Sequence, residues 1–143
     1  MIYINYMSKK VKIGITGSRT YENKLKIKEF VYDLRNRTDQ DITIVSLGDL
    51  QGADKHIKKF ALDFGYGYSE YNPPHTPKTL YSALPEAFYS RPYTNKNIFV
   101  RDKIYASSVD MCVVFDNGNP LDKKSINIMK EFKKQNRKVI LIQ

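Results

Sequence analysis

The chain has 143 residues, of which 41% are hydrophobic and 27% are charged, and it carries a formal net charge of +9. This length and balance predict one soluble globular domain with a single core, and no apolar run is long enough to cross a bilayer. A single cysteine excludes an internal disulfide framework and favours a reducing, cytoplasmic location.

The chain divides into a short beginning and one α/β domain. We predict an N-terminal extension or edge strand over residues 1–10, which lacks the apolar stretch of a secretion signal, and a domain over residues 11–143. Strands are predicted where β-branched residues cluster, and helices where apolar residues recur near helical spacing. The predicted strands are Val11–Thr16, Asp41–Leu47, Tyr66–Tyr71, Val109–Phe115 and Arg137–Ile142. The predicted helices are Tyr21–Asn36, Leu50–Phe64, Asn95–Ser107 and Leu121–Asn136.

Strands that alternate with helices indicate a mostly parallel sheet covered on both faces. Right-handed crossovers then predict a single-domain, Rossmann-like, doubly wound sheet of about five strands in the order 3-2-1-4-5. Ligands in such sheets bind at the carboxyl ends of the strands, beside the switch point between the first and fourth strands. We therefore expect four segments to meet there, namely residues 17–19, 48–54, 95–102 and 116–120.

The regular pattern is interrupted by a Pro/Tyr-rich loop over residues 72–93, which contains five prolines. Connections of this length are often lids or binding loops, and the alternative is a surface excursion that covers a sheet edge. Tyr93 at its end is a candidate to stack on a base.

The first strand runs into Gly17-Ser18-Arg19 and then into a helical segment. Free N–H groups and the positive end of a helix dipole favour an anion such as phosphate at such a turn. Gly17 lets a ligand approach the backbone, Ser18 can donate a hydrogen bond or cap the helix, and Arg19 can hold a phosphate or carboxylate. The alternative is an ordinary turn with a surface arginine.

A second turn of the same kind, Gly48 to Asp54, follows the second strand. Asp54 lies in the first turn of the predicted helix, where the dipole favours a carboxylate. It either accepts hydrogen bonds from ribose hydroxyls or caps the helix. Because both turns follow neighbouring strands, we expect them at the same edge of the sheet.

The positive charge favours anionic partners, from nucleotides to nucleic acid, and no membrane partner is expected. A solvated helix face is the more frequent role of such lysines, and we give it more weight than a nucleic-acid surface. The lysines concerned are Lys24, Lys26, Lys28, Lys123, Lys124, Lys130, Lys133 and Lys134. His56 and His75 have no Cys or carboxylate neighbours at ligand spacing, so we expect no metal site.

Taken together, the two turns resemble the SLOG superfamily and, within it, the small YspA-like proteins (the DUF2493 group). The resemblance covers most of residues 11–143 and rests on two motifs in register, with three further segments that look similar. These are Thr16-Gly17-Ser18-Arg19-x-Tyr21, Gly48-x-x-x-Gly52-Ala53-Asp54, Asn72-Pro73-Pro74, Arg101-Asp102 and Asp110 to Phe115.

The resemblance implies a Rossmann-like domain that binds a nucleotide-derived ligand, with no further cofactor. Arg19 and the turn amides would hold a phosphate with help from Arg101, Asp54 would meet a ribose, and Tyr21 or Tyr93 would stack on the base. The complete set of expected ligand-binding residues is Gly17, Ser18, Arg19, Tyr21, Gly48, Gly52, Asp54, Tyr93, Arg101, Asn117 and Gly118. A homodimer is also implied.

The chain departs from the hydrolase relatives of that family, which carry a Gly-Gly-x-Gly-Thr-x-x-Glu segment after the fourth strand. Residues 117–125 lack most of those glycines, and no Glu stands at the matching position. Asp49 replaces a family glycine and places a negative charge in the second turn. The candidates for a catalytic carboxylate are therefore Asp49 and Asp116, with Asp122 as a third.

Three functions follow in order of preference. The first is the binding or sensing of a nucleotide or nucleotide-derived ligand. The alternative is an N-glycosidase that acts on a nucleotide, as in the phosphoribohydrolases of the same superfamily. The third is the binding of single-stranded nucleic acid, which the charge of +9 favours.

Overall fold

The computed structural model of the protein describes residues 10–71 and 95–143. The strands are β1 (Lys10–Gly17), β2 (Asp41–Ser46), β3 (Gly67–Glu70), β4 (Met111–Phe115) and β5 (Val139–Ile142). The helices are α1 (Lys24–Asp33), α2 (Ala53–Asp63), α3 (Asn95–Ser108) and α4 (Lys123–Lys134), and a 3₁₀ turn at Leu34–Asn36 follows α1. Most of the predicted N-terminal extension, the Pro/Tyr-rich loop with Tyr93, and His75 lie outside the described residues.

The five strands form one sheet in the order β3-β2-β1-β4-β5, and every neighbouring pair is parallel. This confirms the predicted fold class and strand order. β1 lies at the centre, where Gly14 is in register with Val45 of β2 and Cys112 of β4. The chain reverses its direction of winding between β1 and β4, so the predicted switch point lies at their carboxyl ends.

Helices cover both faces of the sheet, because the strands carry apolar side chains on both faces and not on one face only. On one face, Ile13 and Ile15 of β1 pack with apolar residues of α1 and α2. On the other face, Val114 of β4 packs with residues of α3 and α4, including Tyr105 and Phe132. Within the described part of the chain, no helix is long and apolar enough to cross a membrane.

Three helices begin later than the sequence pattern predicts, and one of them is α4, which begins at Lys123 after the Asp122 cap and not at Leu121. α1 begins after Asn23, whose side-chain oxygen accepts a hydrogen bond from the Lys26 amide at 3.2 Å, and not at Tyr21. α2 begins after Gly52, which has a φ of +72° that stops a helix from extending toward Leu50. The loops after β1 and β2 are therefore longer than predicted, and both lie at the carboxyl edge of the sheet.

Candidate functional site

The turns after β1 and β2 lie in direct contact. The Ala53 amide at the start of α2 donates to the Ser18 carbonyl at 3.0 Å. Gly52 packs so closely on this backbone that a Cβ there would overlap with the Ser18 carbonyl oxygen and the Arg19 backbone. The two glycine turns therefore form one continuous rim, as their positions after neighbouring strands predict.

Much of this rim is closed by the protein's own backbone. A Cβ at Gly17 would overlap with the Phe115 carbonyl oxygen and would lie 2.7 Å from the Ala53 Cβ, so the missing side chain serves internal packing. The Ser18 amide donates to that same Phe115 carbonyl at 2.9 Å. The Ser18 amide therefore stabilises the junction of β1 and β4 and does not point to open space for a phosphate.

The Ser18 hydroxyl faces the loop that follows it. Its oxygen lies 2.9 Å from the Thr20 hydroxyl and accepts the Thr20 amide at 3.1 Å. It does not cap α1, because Asn23 fills that position. Ser18 and Thr20 thus place two hydroxyl groups side by side at the edge of the rim.

Arg19 reaches from this rim to the beginning of α4. Its guanidinium lies 3.4 Å from Asp122 Oδ1, and its backbone amide donates to Asp122 Oδ2 at 3.3 Å. Partial burial acts to raise the pKa of Asp122, but hydrogen bonds from the Lys124 amide and from Arg19 outweigh it and hold that pKa below its usual range. The Arg19 side chain remains 54% exposed.

A cleft of about 410 Å³ opens between these turns and the loop after β4. It combines hydroxyl, guanidinium and amide donors with two carboxylates, and of the expected ligand-binding residues it contains Ser18, Arg19 and Gly118. Its lining residues are Ser18, Arg19, Thr20, Gln51, Asp116, Gly118, Pro120 and Asp122. Gln51 and Pro120 belong to segments that the sequence places at this edge, although neither was singled out as a ligand, and Thr20 lies just outside the predicted segment 17–19.

A second groove, of about 450 Å³, lies where β1, β2 and β3 begin, and its lining includes Lys10, Asp41 and Gly67. Parallel sheets bind their ligands at the opposite, carboxyl edge. We therefore take the cleft between the glycine turns as the candidate site.

Tyr21 lies in the hydrophobic core and does not face the cleft. It is fully buried, with its ring edge-on to Phe115 at a centroid distance of 5.6 Å. Its hydroxyl donates to the Gln143 carbonyl at 3.3 Å, and burial raises its pKa. In this position Tyr21 has no open ring face on which a base could stack.

Asp54 also has an internal role, at the centre of a buried polar cluster. Its Oδ1 accepts the Thr16 hydroxyl at 2.7 Å, and its Oδ2 accepts the Asp49 amide at 3.1 Å and the Lys124 ammonium at 2.7 Å. The carboxylate is thus held by three groups of the chain itself, and it is not placed for a ribose.

Lys124 differs from the prediction of a solvated helix face. Its side chain is 9% exposed, and its ammonium contacts Asp49 Oδ2 at 2.6 Å as well as Asp54. One ammonium thus serves two carboxylates and offsets one of the two negative charges of Asp49 and Asp54. No local signal separates Lys124 from Lys123, which lies in the same first turn of α4 and is exposed.

Asp116 shapes the loop after β4. It is fully buried, its Oδ1 accepts the Gly118 amide at 2.8 Å, and its Oδ2 accepts the Asp122 amide at 2.9 Å. The carboxylate therefore holds the loop that forms one wall of the cleft. Asn117 in the same loop is exposed and does not line the cleft.

Arg101 lies on α3 and is not among the residues that line the cleft. It is buried, its Nε contacts Asp102 Oδ1 at 2.7 Å, and its guanidinium donates to the Tyr71 carbonyl at 3.4 Å. Burial raises the pKa of Asp102 even though Arg101 acts to lower it. Arg101 thus pairs with its neighbour instead of facing the cleft as a phosphate ligand.

Gly48 has a φ of +78°, and its amide donates to the Ser46 hydroxyl at 3.1 Å. It turns the chain after β2 but does not line the cleft. Among the described residues there is no group of three or more His, Cys, Asp or Glu that could hold a metal ion.

No known protein-family model matches the chain, and no characterised protein sequence is similar enough to be matched to it. Solved structures do show a similar fold. The molybdenum cofactor carrier protein of Chlamydomonas reinhardtii is 18% identical with a TM-score of 0.62, over 92% of this chain and 76% of that one. The molybdenum cofactor binding protein of Rippkaea orientalis is 17% identical with a TM-score of 0.65, over 93% and 76%. At these identities the likeness establishes the fold alone, so the chain shares the α/β fold of these molybdenum cofactor proteins.

Proposed function

We propose that this protein binds a small phosphate-bearing molecule, a nucleotide or a nucleotide-derived ligand, in the cleft between the two glycine turns. The observation that carries the proposal is the cleft itself, at the switch point of the sheet, with an exposed arginine at its rim. The similar structures are named for a molybdenum cofactor, which supports a small-molecule ligand for this fold without identifying it.

Arg19 is the principal phosphate ligand in this proposal. Its guanidinium contact with Asp122, at 3.4 Å on an exposed side chain, is long and weak, so a phosphate competes with it at small cost. The hydroxyls of Ser18 and Thr20 lie beside it, and because they are hydrogen-bonded to each other at 2.9 Å, one hydroxyl proton is left to donate to a ligand. A guanidinium with an adjacent hydroxyl favours a phosphate group, whereas the carboxylates of Asp116 and Asp122 in the same cleft act against it, so the phosphate is expected against Arg19.

Binding without cleavage is favoured over N-glycosidase activity. Cleavage of a glycosidic bond needs a carboxylate that is free to stabilise charge or to activate water. Asp116 holds two backbone amides, and Asp49 is paired with Lys124. Each candidate carboxylate therefore already has a partner in the fold. Release of free base from nucleoside monophosphates would establish the hydrolase instead.

The binding of single-stranded nucleic acid stays a prediction from the charge of +9. Its signature is an oligonucleotide affinity that falls steeply with salt concentration.

The test is isothermal titration with AMP, ADP-ribose, cyclic nucleotides and the molybdenum cofactor, on the wild type and on two arginine variants. Arg19→Ala removes the rim arginine. Arg37→Ala is a matched control, because Arg37 is 64% exposed and pairs with Asp33 at 3.3 Å in the same way. We expect Arg19→Ala to weaken binding about ten-fold or more, since a charge-assisted hydrogen bond contributes about 1.5–3 kcal/mol. We expect Arg37→Ala to bind as the wild type does. No binding across the panel, or equal effects of both variants, would contradict the proposal.

A further inference from the structure

Most of the excess positive charge lies in one segment near the end of the chain. Residues 123–138 contain seven basic residues and one acidic residue, so they carry +6 of the formal net charge of +9. Residues 22–33, which include α1, contain three lysines and three acidic residues and are balanced. Mixed signs are typical of a solvated helix face, whereas basic residues gathered along one helix are typical of a surface that binds nucleic acid. The lysines of α4 are therefore a separate group from those of α1.

Three lysines form a row on the side of α4 that faces away from the sheet. The buried residues of this helix are Ser125, Ile128 and Phe132. Successive residues of an α-helix are rotated by about 100°, which places Lys123, Lys130 and Lys134 within about 40° of each other and opposite the buried residues. All three are exposed, and together they span about 16 Å along the helix axis. We call them the lysine row.

No ion pair neutralises the lysine row within the part of the chain that the structure describes. On α2, by contrast, the ammonium of Lys59 lies 2.8 Å from the Asp63 carboxylate. Glu131 is the one acidic residue of α4, and it is partly buried on the flank of the helix. Lys130 and Lys134 are four residues apart, a spacing at which like charges repel. The fold thus presents a line of cations that an anionic partner would stabilise.

The composition of this face favours a phosphate backbone over a protein or a lipid surface. Among the described residues, none of the exposed large hydrophobic side chains belongs to α4. A protein partner needs an apolar centre to its interface, and insertion into a lipid surface needs apolar residues beside the cations. A nucleic acid needs only the cations, because the release of counterions from its phosphates drives the binding.

We propose that the lysine row binds the phosphate backbone of a single-stranded nucleic acid without reading its bases. A row that is one lysine wide follows the backbone of one strand. Phe132 is the one aromatic residue of α4 and is fully buried, so this helix offers no ring on which a base could stack. The row does not line the cleft, and the proposal is independent of what the cleft binds.

The test is the fluorescence anisotropy of a labelled oligothymidylate of about 20 nucleotides, titrated at several salt concentrations. Lys130→Gln with Lys134→Gln shortens the row. Lys24→Gln with Lys28→Gln is the matched control, since these lysines are also exposed and four residues apart, on α1. We expect the α4 double variant to weaken binding about ten-fold at low salt and to make the slope of log K against log salt shallower by about 1.4, because two phosphate contacts are lost. The α1 double variant should bind as the wild type does.

The cleft variant Arg19→Ala separates this proposal from the proposed function. It should leave the affinity for the oligonucleotide unchanged, and a clear loss would place the strand in the cleft and overturn the proposal. Absence of oligonucleotide binding by the wild type at low salt, or equal losses in the two double variants, would also overturn it. So would tighter binding of a duplex of the same length, or binding to phosphatidylserine vesicles in place of the oligonucleotide.

Discussion

The ammonium of Lys124 lies 2.7 Å from Asp54 Oδ2, although 70 residues separate them in the chain. The contact joins the first turn of α4 to the first turn of α2 across the carboxyl ends of β1 and β4. Asp49 completes the cluster at 2.6 Å from the same ammonium. One ammonium thereby bridges two carboxylates inside the fold and offsets one of their two negative charges, and the bridge ties α4 to the turn after β2.

Replacement of Lys124 by methionine should strongly destabilise the protein. The Asp54 carboxylate has no exposed side-chain surface, and without its cation it remains as a buried charge. Breaking a buried pair in this way costs about 3–5 kcal/mol. Urea unfolding gives the free energy directly, and the exposed neighbour Lys123→Met is the control, with an expected change below about 0.5 kcal/mol. A small effect at Lys124 would mean that water reaches the cluster.

Asp122→Asn should reduce stability at neutral pH but not in acid. Asparagine keeps the helix cap, so the variant removes the charge beside Arg19 and leaves the cap in place. The pKa of Asp122 in the folded protein lies below its ordinary value of 3.8, so its contribution is present above that value and is lost as the pH falls through the folded pKa. We expect a difference of at most about 1 kcal/mol at pH 7. Unfolding measured at pH 7 and in acid checks this, and a difference that persists in strong acid would contradict it.

Gly52→Ala and Gly65→Ala separate backbone strain from steric overlap. Both glycines have positive φ, +72° and +80°, but a Cβ at Gly65 meets nothing within 4 Å. Gly65→Ala should therefore cost about 1–2 kcal/mol for its backbone conformation alone. Gly52→Ala should cost more by about 1–3 kcal/mol, because its Cβ overlaps with Ser18 and Arg19. Chemical denaturation of both variants gives the comparison, and equal losses would show that the two turns separate easily.

Tyr21 variants should change stability and leave the ligand affinity of the folded protein unchanged. Tyr21→Phe loses a hydrogen bond to Gln143 and should lower the free energy of unfolding by about 0.5–1.5 kcal/mol. Tyr21→Ala opens a cavity in the core and should lower it by more than about 3 kcal/mol, as other aromatic truncations do. Titration of Tyr21→Phe with the best ligand of the panel checks the affinity. A clear loss of affinity in that variant would restore Tyr21 as a residue that contacts the base.

The fold could be predicted largely because its signals are local and repeated. Apolar runs at 11–16, 41–47 and 109–115 became strands, and helical spacing marked the helices between them. Right-handed crossovers reduced the possible strand orders to a few, and the structure has the order 3-2-1-4-5 that was predicted. The predicted helix starts at Tyr21 and Leu50 were wrong by three residues each. Each true start is set by one residue, the Asn23 cap or the positive φ of Gly52, and the helical spacing of apolar residues does not reveal it.

The sequence by itself determined that two glycine turns would follow neighbouring strands of a parallel sheet, because strand order places their ends at one edge. The tertiary structure alone decided what those turns contact. Gly17 and Gly52 make room for the protein's own backbone, and Asp54 faces a lysine from the other end of the chain. These contact partners are distant from each other in the sequence, and a local sequence pattern does not specify which distant side chain will fill a given position.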